Sequence, residues 1–206
     1  MKYETLWHRL ADIYDTDEAK AIVRWMLGIR FGLSLTDIVC GKLDELDEAE
    51  QSELEGMMQR LEKAEPVQYV VGVAEFCGRT FHVEPGVLIP RPETGELCEW
   101  IVAPDQHGLT RTIDSAAEKA VRESPRLSDA NILDVGTGSG CIAITLALEM
   151  PQAKVTAWDI SEALCIAKKN AEALGAKVTF EQQDILKLGE QNISLSSFLF
   201  PLSSFL

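Results

Sequence analysis

Apolar residues recur at helical spacing through the first third of the chain. The spacing predicts helices over residues 17–30 and 47–64, with a short helix capped by Thr36 between them. We therefore expect residues 1–65 to form a small helical domain, which Pro66 ends.

The acidic run over residues 44–55 is most simply the solvated start of the last of these helices. A docking surface for a partner is the alternative interpretation.

The next stretch has the composition of strands. Residues 68–73 and 79–83 are rich in β-branched and aromatic residues, and Cys77-Gly78 separates them, so they predict a hairpin. We expect residues 66–92 to form this hairpin linker.

A stiff loop and a further helix follow the hairpin. Two prolines restrict the backbone on either side of Arg91, and the helix is expected to continue to about Val102. Arg91, Glu93 and Thr94 are therefore candidates for the wall of a substrate site. The alternative is a connector between domains in which Thr94 is a helix cap.

Strands and helices alternate from Asn131 onwards, which is typical of a parallel α/β sheet. Short apolar runs predict buried strands. The predicted order is strand 132–135, helix 142–149, strand 154–159, helix 161–174 and strand 178–184. Residues 104–130, which are polar, are interpreted as a long and mobile excursion that is helical around 116–122.

Three glycines at alternate positions join the first of these strands to its helix. Glycine lets the backbone approach a ligand closely, and the start of a helix presents free N–H groups. Their spacing, Gly-x-Gly-x-Gly after Asp134, differs from the Gly-x-Gly-x-x-Gly of dinucleotide-binding folds. Asp159 is placed to accept hydrogen bonds from both hydroxyls of a ribose, and Asp184 to meet an adenine amino group. Taken alone, either acid is simply a helix cap or a solvated strand end.

The glycine turn after Asp134, together with Asp159 and Asp184, resembles the cofactor site of the class I methyltransferases. The resemblance implies S-adenosyl-L-methionine as the cofactor. The expected fold class is α/β: a Rossmann-like methyltransferase sheet preceded by the helical domain and the hairpin linker. The candidate cofactor ligands are Asp134, Gly136, Thr137, Gly138, Ser139, Gly140, Asp159, Asp184 and Ile185.

Composition narrows the classes of function. The 206 residues have a net charge of −14, which argues against broad binding to nucleic-acid phosphates and is compatible with a basic protein partner. The five cysteines are scattered and no signal peptide or membrane-spanning run is present, so we expect reduced thiols and a cytoplasmic protein. The three histidines lie far apart, so no metal site is expected.

Several longer motifs together support a family. Pro-Val-Gln-Tyr-Val-Val-Gly at 66–72, Phe-Cys-Gly-Arg-Thr-Phe at 76–81, Val-Leu-Ile-Pro-Arg-Pro-Glu-Thr at 87–94 and Asp-Val-Gly-Thr-Gly-Ser-Gly at 134–140 occur in order. Over about residues 1–188 the chain resembles the peptide chain release factor glutamine N5-methyltransferase family. The resemblance implies that a helical N-terminal domain engages release factors. It also implies methylation of the glutamine in their Gly-Gly-Gln loop, without direct contact with nucleic acid or membrane.

Two departures from the family matter. Gly95 stands where the family usually has a second acid after the threonine, which weakens the case for a substrate role of that loop. The family's Asn-Pro-Pro-Tyr motif is absent from the 206 residues. In the family, that Asn and a neighbouring proline carbonyl accept hydrogen bonds from the substrate amide, and the ring packs on the amide plane. We therefore predict a partial methyltransferase domain over residues 93–190, with no catalytic residue to assign and no activity.

The last residues are unusual. Residues 191–206 contain no charge and repeat Leu-Ser-Ser-Phe-Leu, so they are interpreted as aberrant, out-of-frame sequence, with a sticky amphiphilic tail as the alternative. In the absence of a fourth strand, strand 132–135 is expected to be an exposed, aggregation-prone sheet edge.

Three other functions remain open. One is an amino-methyltransferase that acts on adenine in nucleic acid, which the acidic charge disfavours. Another is an NAD-dependent oxidoreductase, which the glycine spacing disfavours. The third is a non-catalytic fragment that binds a partner through residues 1–65.

Overall fold

The computed structural model describes residues 2–102 and 130–187, apart from the side chains of Ser161 and Leu186. The chain divides into two compact units, and the division lies between Val73 and Ala74. Each unit is described by itself below.

The first unit is helical, as predicted. Asp15 and Asp47 cap the two long helices by accepting hydrogen bonds from backbone N–H groups in the first turn of each. The helices are α1 (Tyr3–His8), α2 (Thr16–Phe31), α3 (Leu35–Val39), α4 (Glu48–Leu61) and α5 (Val67–Val71), with a 3₁₀ turn at Lys42–Glu45.

Apolar side chains from these helices fill one core. Leu6, Val23, Leu54 and Met58 are completely buried within it. Arg9 joins α1 to α4, because its guanidinium donates to the carboxylate of Glu55 at 2.7 Å and 2.8 Å. The unit is therefore stabilised by helix packing and by ion pairs at its surface.

The sequence-based prediction for residues 68–73 was wrong. This stretch begins with the helix α5, which ends at Gly72 in the left-handed region, with φ 84°. Arg60 donates to the carbonyl oxygens of Tyr69 and Val70, at 3.0 Å and 3.1 Å, and so satisfies two groups at the end of this helix. A tertiary contact has overridden the strand preference of the valines.

Two other predictions for this unit were wrong in detail. Ser34, not Thr36, caps α3, because Ser34 and Asp37 form a reciprocal capping box. The helix expected to run to Ala64 ends at Leu61, and Ala64 has a positive φ of 59°.

The second unit begins with the predicted hairpin. Strands β1 (Val73–Phe76) and β2 (Arg79–His82) pair with each other. Cys77 and Gly78 both have positive φ, 47° and 69°, which is the conformation of a tight hairpin turn. The hairpin at Cys77-Gly78 is thus confirmed, although its first strand starts later than expected.

The predicted parallel sheet is confirmed. Its three strands lie in the order β3-β4-β5, and both neighbouring pairs are parallel. The elements that follow the hairpin are α6 (Pro92–Val102), β3 (Asn131–Val135), α7 (Cys141–Glu149), β4 (Lys154–Asp159), α8 (Ser161–Leu174), β5 (Thr179–Gln182) and a 3₁₀ turn at Ile185–Lys187.

One edge of this sheet is open. Within residues 2–102 and 130–187, β3 pairs with β4 alone. A mainly apolar cleft of about 160 Å³ lies at β3, and Leu97, Ile132, Val135 and Ile142 are among the residues that line it. The expectation of an open β3 edge is confirmed for the described part of the chain.

The five cysteines are free thiols. Burial raises the pKa of Cys98 to about 12 and the pKa of Cys141 to about 11, so both thiols are protonated and unreactive.

Three predictions lie wholly or almost wholly outside the described residues: the excursion at 104–130, its helical part, and the aberrant tail at 191–206. No helix in the described ranges is both long and apolar enough to cross a membrane.

Candidate functional site

The carboxyl ends of the three parallel strands meet at one edge of the sheet. Val135 pairs with Trp158, and Asp159 pairs with Gln182, so the residues that follow each strand come together there. This edge contains the glycine turn at 136–140, Asp159 and, beyond β5, Asp184. In open α/β sheets this edge is where ligands bind.

Backbone hydrogen bonds hold the glycine turn against the end of β4. The N–H groups of Gly136 and Thr137 donate to the carbonyl oxygen of Trp158, at 2.9 Å and 3.1 Å. The N–H of Gly138 donates to Asp159 Oδ2 at 2.8 Å. The turn and Asp159, the predicted ribose ligand, are therefore joined by a hydrogen bond within the protein itself.

Two of the three glycines serve different purposes. A Cβ on Gly140 would lie 2.8 Å from Ile144 Cδ1 and 3.2 Å from Ala167 Cβ, so this glycine is required for helix packing. Gly136 has φ 75°, and a Cβ there would meet no atom within 4 Å. Gly136 is also exposed. Backbone that is free of side chains and open to solvent is what a closely approaching ligand needs.

Asp134 points into the turn. Its Oδ2 accepts a hydrogen bond from the Thr137 hydroxyl at 2.7 Å. Burial raises the pKa of Asp134 and the charge of Asp159 adds to the rise, whereas hydrogen bonds from Thr137 and from the Ala143 N–H oppose it. The carboxylate therefore holds the glycine turn and the first turn of α7 together. Thr137 is itself buried.

Asp159 retains capacity for a ligand. Its Oδ2 accepts from Gly138, and its Oδ1 accepts from the N–H of Ile160 at 2.7 Å. A carboxylate can accept about four hydrogen bonds. The two that remain match the two hydroxyls of a ribose.

Asp184 and Ile185 follow β5 at the same edge. Asp184 forms an ion pair with Lys187, with 2.8 Å between Oδ2 and Nζ. Ile185 is 46% exposed, which is unusual for a residue of its size. An exposed apolar side chain beside an acid suits a planar ring that carries an amino group.

The predicted substrate residues lie at the start of α6. Arg91 and Glu93 are exposed, and the N–H of Thr94 donates to the Arg91 carbonyl at 3.1 Å. The loop before them approaches the glycine turn: the Leu88 nitrogen lies 3.9 Å from where a Cβ on Gly138 would be. The structure thus brings the loop close to the turn at Leu88.

The structure gives a physical reason for Gly95. This residue is buried, and a Cβ there would lie 3.3 Å from Cys77 Sγ and 3.9 Å from a ring carbon of Phe76. An acidic side chain pointing towards this sulfur and ring would have to bury its charge. The hairpin turn therefore occupies the space that an acid at position 95 would need.

One polar residue of this region was missed by the sequence analysis. Asn170, on α8, is only 2% exposed and donates to the carbonyl oxygen of Ser139 at 2.8 Å. A signal was present, because Asn170 shares the buried face of α8 with Ala163, Ile166 and Ala167. A polar residue in such an apolar stripe needs a partner.

In the described ranges, no group of three or more histidine, cysteine and acidic side chains is arranged to hold a metal ion. The chemistry of the edge is that of carboxylates, backbone N–H groups and an open glycine turn.

Comparison with known proteins gives two family matches. Residues 6–72 match the model of the PrmC N-terminal domain, and residues 127–198 match that of a methyltransferase domain.

Several curated proteins are similar over most of the chain. The release factor glutamine methyltransferase of Bacteroides thetaiotaomicron is 49% identical over 178 residues, which are 85% of this chain and 56% of that protein. The protein of the same description from Flavobacterium psychrophilum is 36% identical, over 89% of this chain and 59% of its own length. The chain therefore spans a little over half the length of these relatives.

Among solved structures, that of PigF with SAH is similar with a TM-score of 0.25 and 16% sequence identity, over 84% of this chain and 62% of that one.

Proposed function

The chain belongs to the release factor glutamine methyltransferase family, and we propose that its second unit binds S-adenosyl-L-methionine at the carboxyl edge of the sheet. The observation on which this proposal depends is the contact between the glycine turn and Asp159. The Gly138 N–H and the Asp159 carboxylate are joined at 2.8 Å, next to the open backbone of Gly136.

Each residue of the edge has a place in this proposal. The turn at 136–140 would lie along the methionine end of the cofactor, held in shape by Asp134. Asp159 would bind the ribose hydroxyls, and Asp184 with Ile185 would flank the adenine. When bound, the cofactor supplies an electrophilic methyl group.

We propose release factors as the protein substrate, in the cytoplasm. The first unit would engage the release factor, and Arg91, Glu93 and Thr94 would form part of the wall that receives its glutamine. The net charge of −14 favours a basic protein surface over nucleic acid as the partner.

We further propose that a polypeptide of these 206 residues does not transfer the methyl group. An amide nitrogen is a poor nucleophile because its lone pair is delocalised into the carbonyl, so it must be aimed and polarised. The Asn-Pro-Pro-Tyr motif that would accept hydrogen bonds from the amide is absent from the 206 residues.

Isothermal titration with S-adenosylhomocysteine, the demethylated cofactor, tests the binding site. We expect the 206-residue protein to bind S-adenosylhomocysteine. We expect the Asp159→Ala variant to bind it about tenfold more weakly. The control is Glu172→Ala, an exposed acid in the last turn of α8, which should bind like the parent. Binding of NAD instead, or equal binding by both variants, would contradict the proposed site.

An assay for transfer of a labelled methyl group tests the proposed inactivity of the 206-residue protein. The 206-residue protein is mixed with labelled S-adenosylmethionine and a release factor, and we expect no label on the release factor. Label on its Gly-Gly-Gln glutamine would show that the missing motif is not needed.

A further inference from the structure

The buried amide of Asn170 makes three hydrogen bonds to backbone groups. Its Oδ1 accepts from the N–H of His82 at 2.7 Å. Its Nδ2 donates to the carbonyl oxygen of His82 at 3.0 Å and to the carbonyl oxygen of Ser139 at 2.8 Å. Both donors of the amide are therefore used, and they bind residues far apart in the sequence.

The two segments that it joins have separate roles. His82 is the last residue of β2, and the chain after it forms the loop that passes Gly138 at Leu88. Ser139 lies inside the glycine turn, between Gly138 and Gly140. One side chain thus ties the base of the loop and the turn to the same helix, α8.

We propose that Asn170 is a positioning residue for the cofactor: it sets the spacing between the glycine turn and the base of the 83–91 loop, and so determines cofactor affinity. This inference rests on the proposed function. Asn170 acts through backbone groups and has no contact with the reacting atoms.

Neither an aspartate nor an apolar side chain can replace these contacts. Aspartate has the same shape and can accept from His82, but it has no donor for the two carbonyl oxygens and brings a charge towards them. An apolar side chain removes this partner from all three backbone groups, and the bond lost at the Ser139 carbonyl is a buried one. Loss of the contact to Ser139 is therefore common to both kinds of replacement.

The test compares Asn170→Ala and Asn170→Asp with a control, Met150→Ala, in the full 206-residue chain. Met150 is also buried, but it follows the far end of α7, away from the glycine turn. Three quantities are measured for each variant. They are the unfolding temperature, the dissociation constant for S-adenosylhomocysteine, and hydrogen exchange in segments 79–84 and 136–141.

We expect both Asn170 variants to bind S-adenosylhomocysteine about tenfold more weakly, as loss of a buried hydrogen bond implies. Met150→Ala should lower the unfolding temperature and leave the dissociation constant unchanged. Exchange in segment 136–141 should accelerate in the Asn170 variants while residues 144–149 of α7 stay protected.

Other outcomes overturn the proposal. It fails if the Asn170 variants bind like the parent, if Met150→Ala weakens binding as much, or if exchange rises uniformly through the unit. If neither Asn170 variant folds, the residue is structural only, and the proposal is also overturned. If the parent itself binds no S-adenosylhomocysteine, the proposed function fails. Hydrogen exchange in segment 136–141 then tests Asn170 separately: if it is the same in the Asn170 variants as in the parent, Asn170 does not hold the glycine turn in place.

Discussion

Helices in the two units begin in different ways. In the first unit, Asp15, Ser34 and Asp47 cap α2, α3 and α4 with their own side chains, whereas α1 and α5 have no side-chain cap. In the second unit, the cap positions of α7 and α8 are Gly140 and Ile160, and neither has a side chain that caps. The first unit thus satisfies the starts of three helices with neighbouring side chains. The second directs two helix starts, with their partial positive charge, towards the sheet edge where a ligand would bind.

The two units also differ at one surface. Both cores include residues with no exposure at all, such as Leu54 in the first unit and Ile144 in the second. Among the described residues, β3 of the second unit pairs on one side only, an apolar cleft lies beside it, and Val135 on this strand is 36% exposed. A chain or ligand that covers this edge should therefore stabilise the second unit.

The largest effect is expected from Leu54→Ala in the first unit. Removal of a completely buried leucine should lower the free energy of unfolding of this unit by about 2–5 kcal/mol. Denaturant unfolding followed by hydrogen exchange would measure the loss in each unit separately. Val39→Ala is the control, since Val39 is 78% exposed and its loss should change little. A weaker affinity of Leu54→Ala for S-adenosylhomocysteine would show that the two units are not independent.

Gly140→Ala should have the next largest effect, on the second unit. It combines a left-handed backbone, φ 82°, with a Cβ 2.8 Å from Ile144 Cδ1, so we expect a loss of about 2–4 kcal/mol. Gly175→Ala is matched in backbone, with φ 71°, but meets no atom within 4 Å, and should cost only about 1–2 kcal/mol. Equal losses in thermal unfolding would mean that packing of α8 on the turn is unimportant.

Val135→Lys tests the open edge of β3. In the part of the chain that the structure describes, the other side of β3 has no neighbouring strand. A charge on this side opposes pairing with another chain, so self-association measured by light scattering should fall. Stability should change by less than about 1 kcal/mol, because Val135 is already partly exposed. Thr179→Lys, an exposed position on the opposite edge strand, is the control. If only the control reduces association, the contact lies at β5.

The smallest effect concerns Asp37 in the first unit. Hydrogen bonds from Lys42 and Ser34 lower the pKa of Asp37 to about 2 from its usual 3.8. A lowered pKa means that the ionised carboxylate stabilises the fold above pH 3.8, and that this contribution is lost as the pH falls towards 2. Asp37→Asn should therefore be slightly less stable than the parent at pH 7, with the difference shrinking below pH 4. A difference between Asp37→Asn and the parent that stays constant from pH 7 to pH 2 would exclude the charge of Asp37 as its cause.

Local sequence signals were sufficient for most of the elements. The apolar spacing of α2 and α4 and the alternation of the α/β region predicted both units because each pattern reports a single buried face. The glycine turn and its acids were found because their spacing is itself a local signal. The roles assigned to these residues as ligands stay predictions.

What the sequence by itself determined is the order of elements in the α/β region, the place of the glycine turn, and the acids that follow β4 and β5. Only the tertiary structure decided the rest. Residues 67–71 form a helix, and Arg60 on another helix satisfies the carbonyl groups of Tyr69 and Val70. Cys77 lies where a side chain on Gly95 would point, and Asn170 joins β2 to the glycine turn. Each of these contacts joins different elements, and no local pattern of hydrophobic and polar residues encodes which elements will meet.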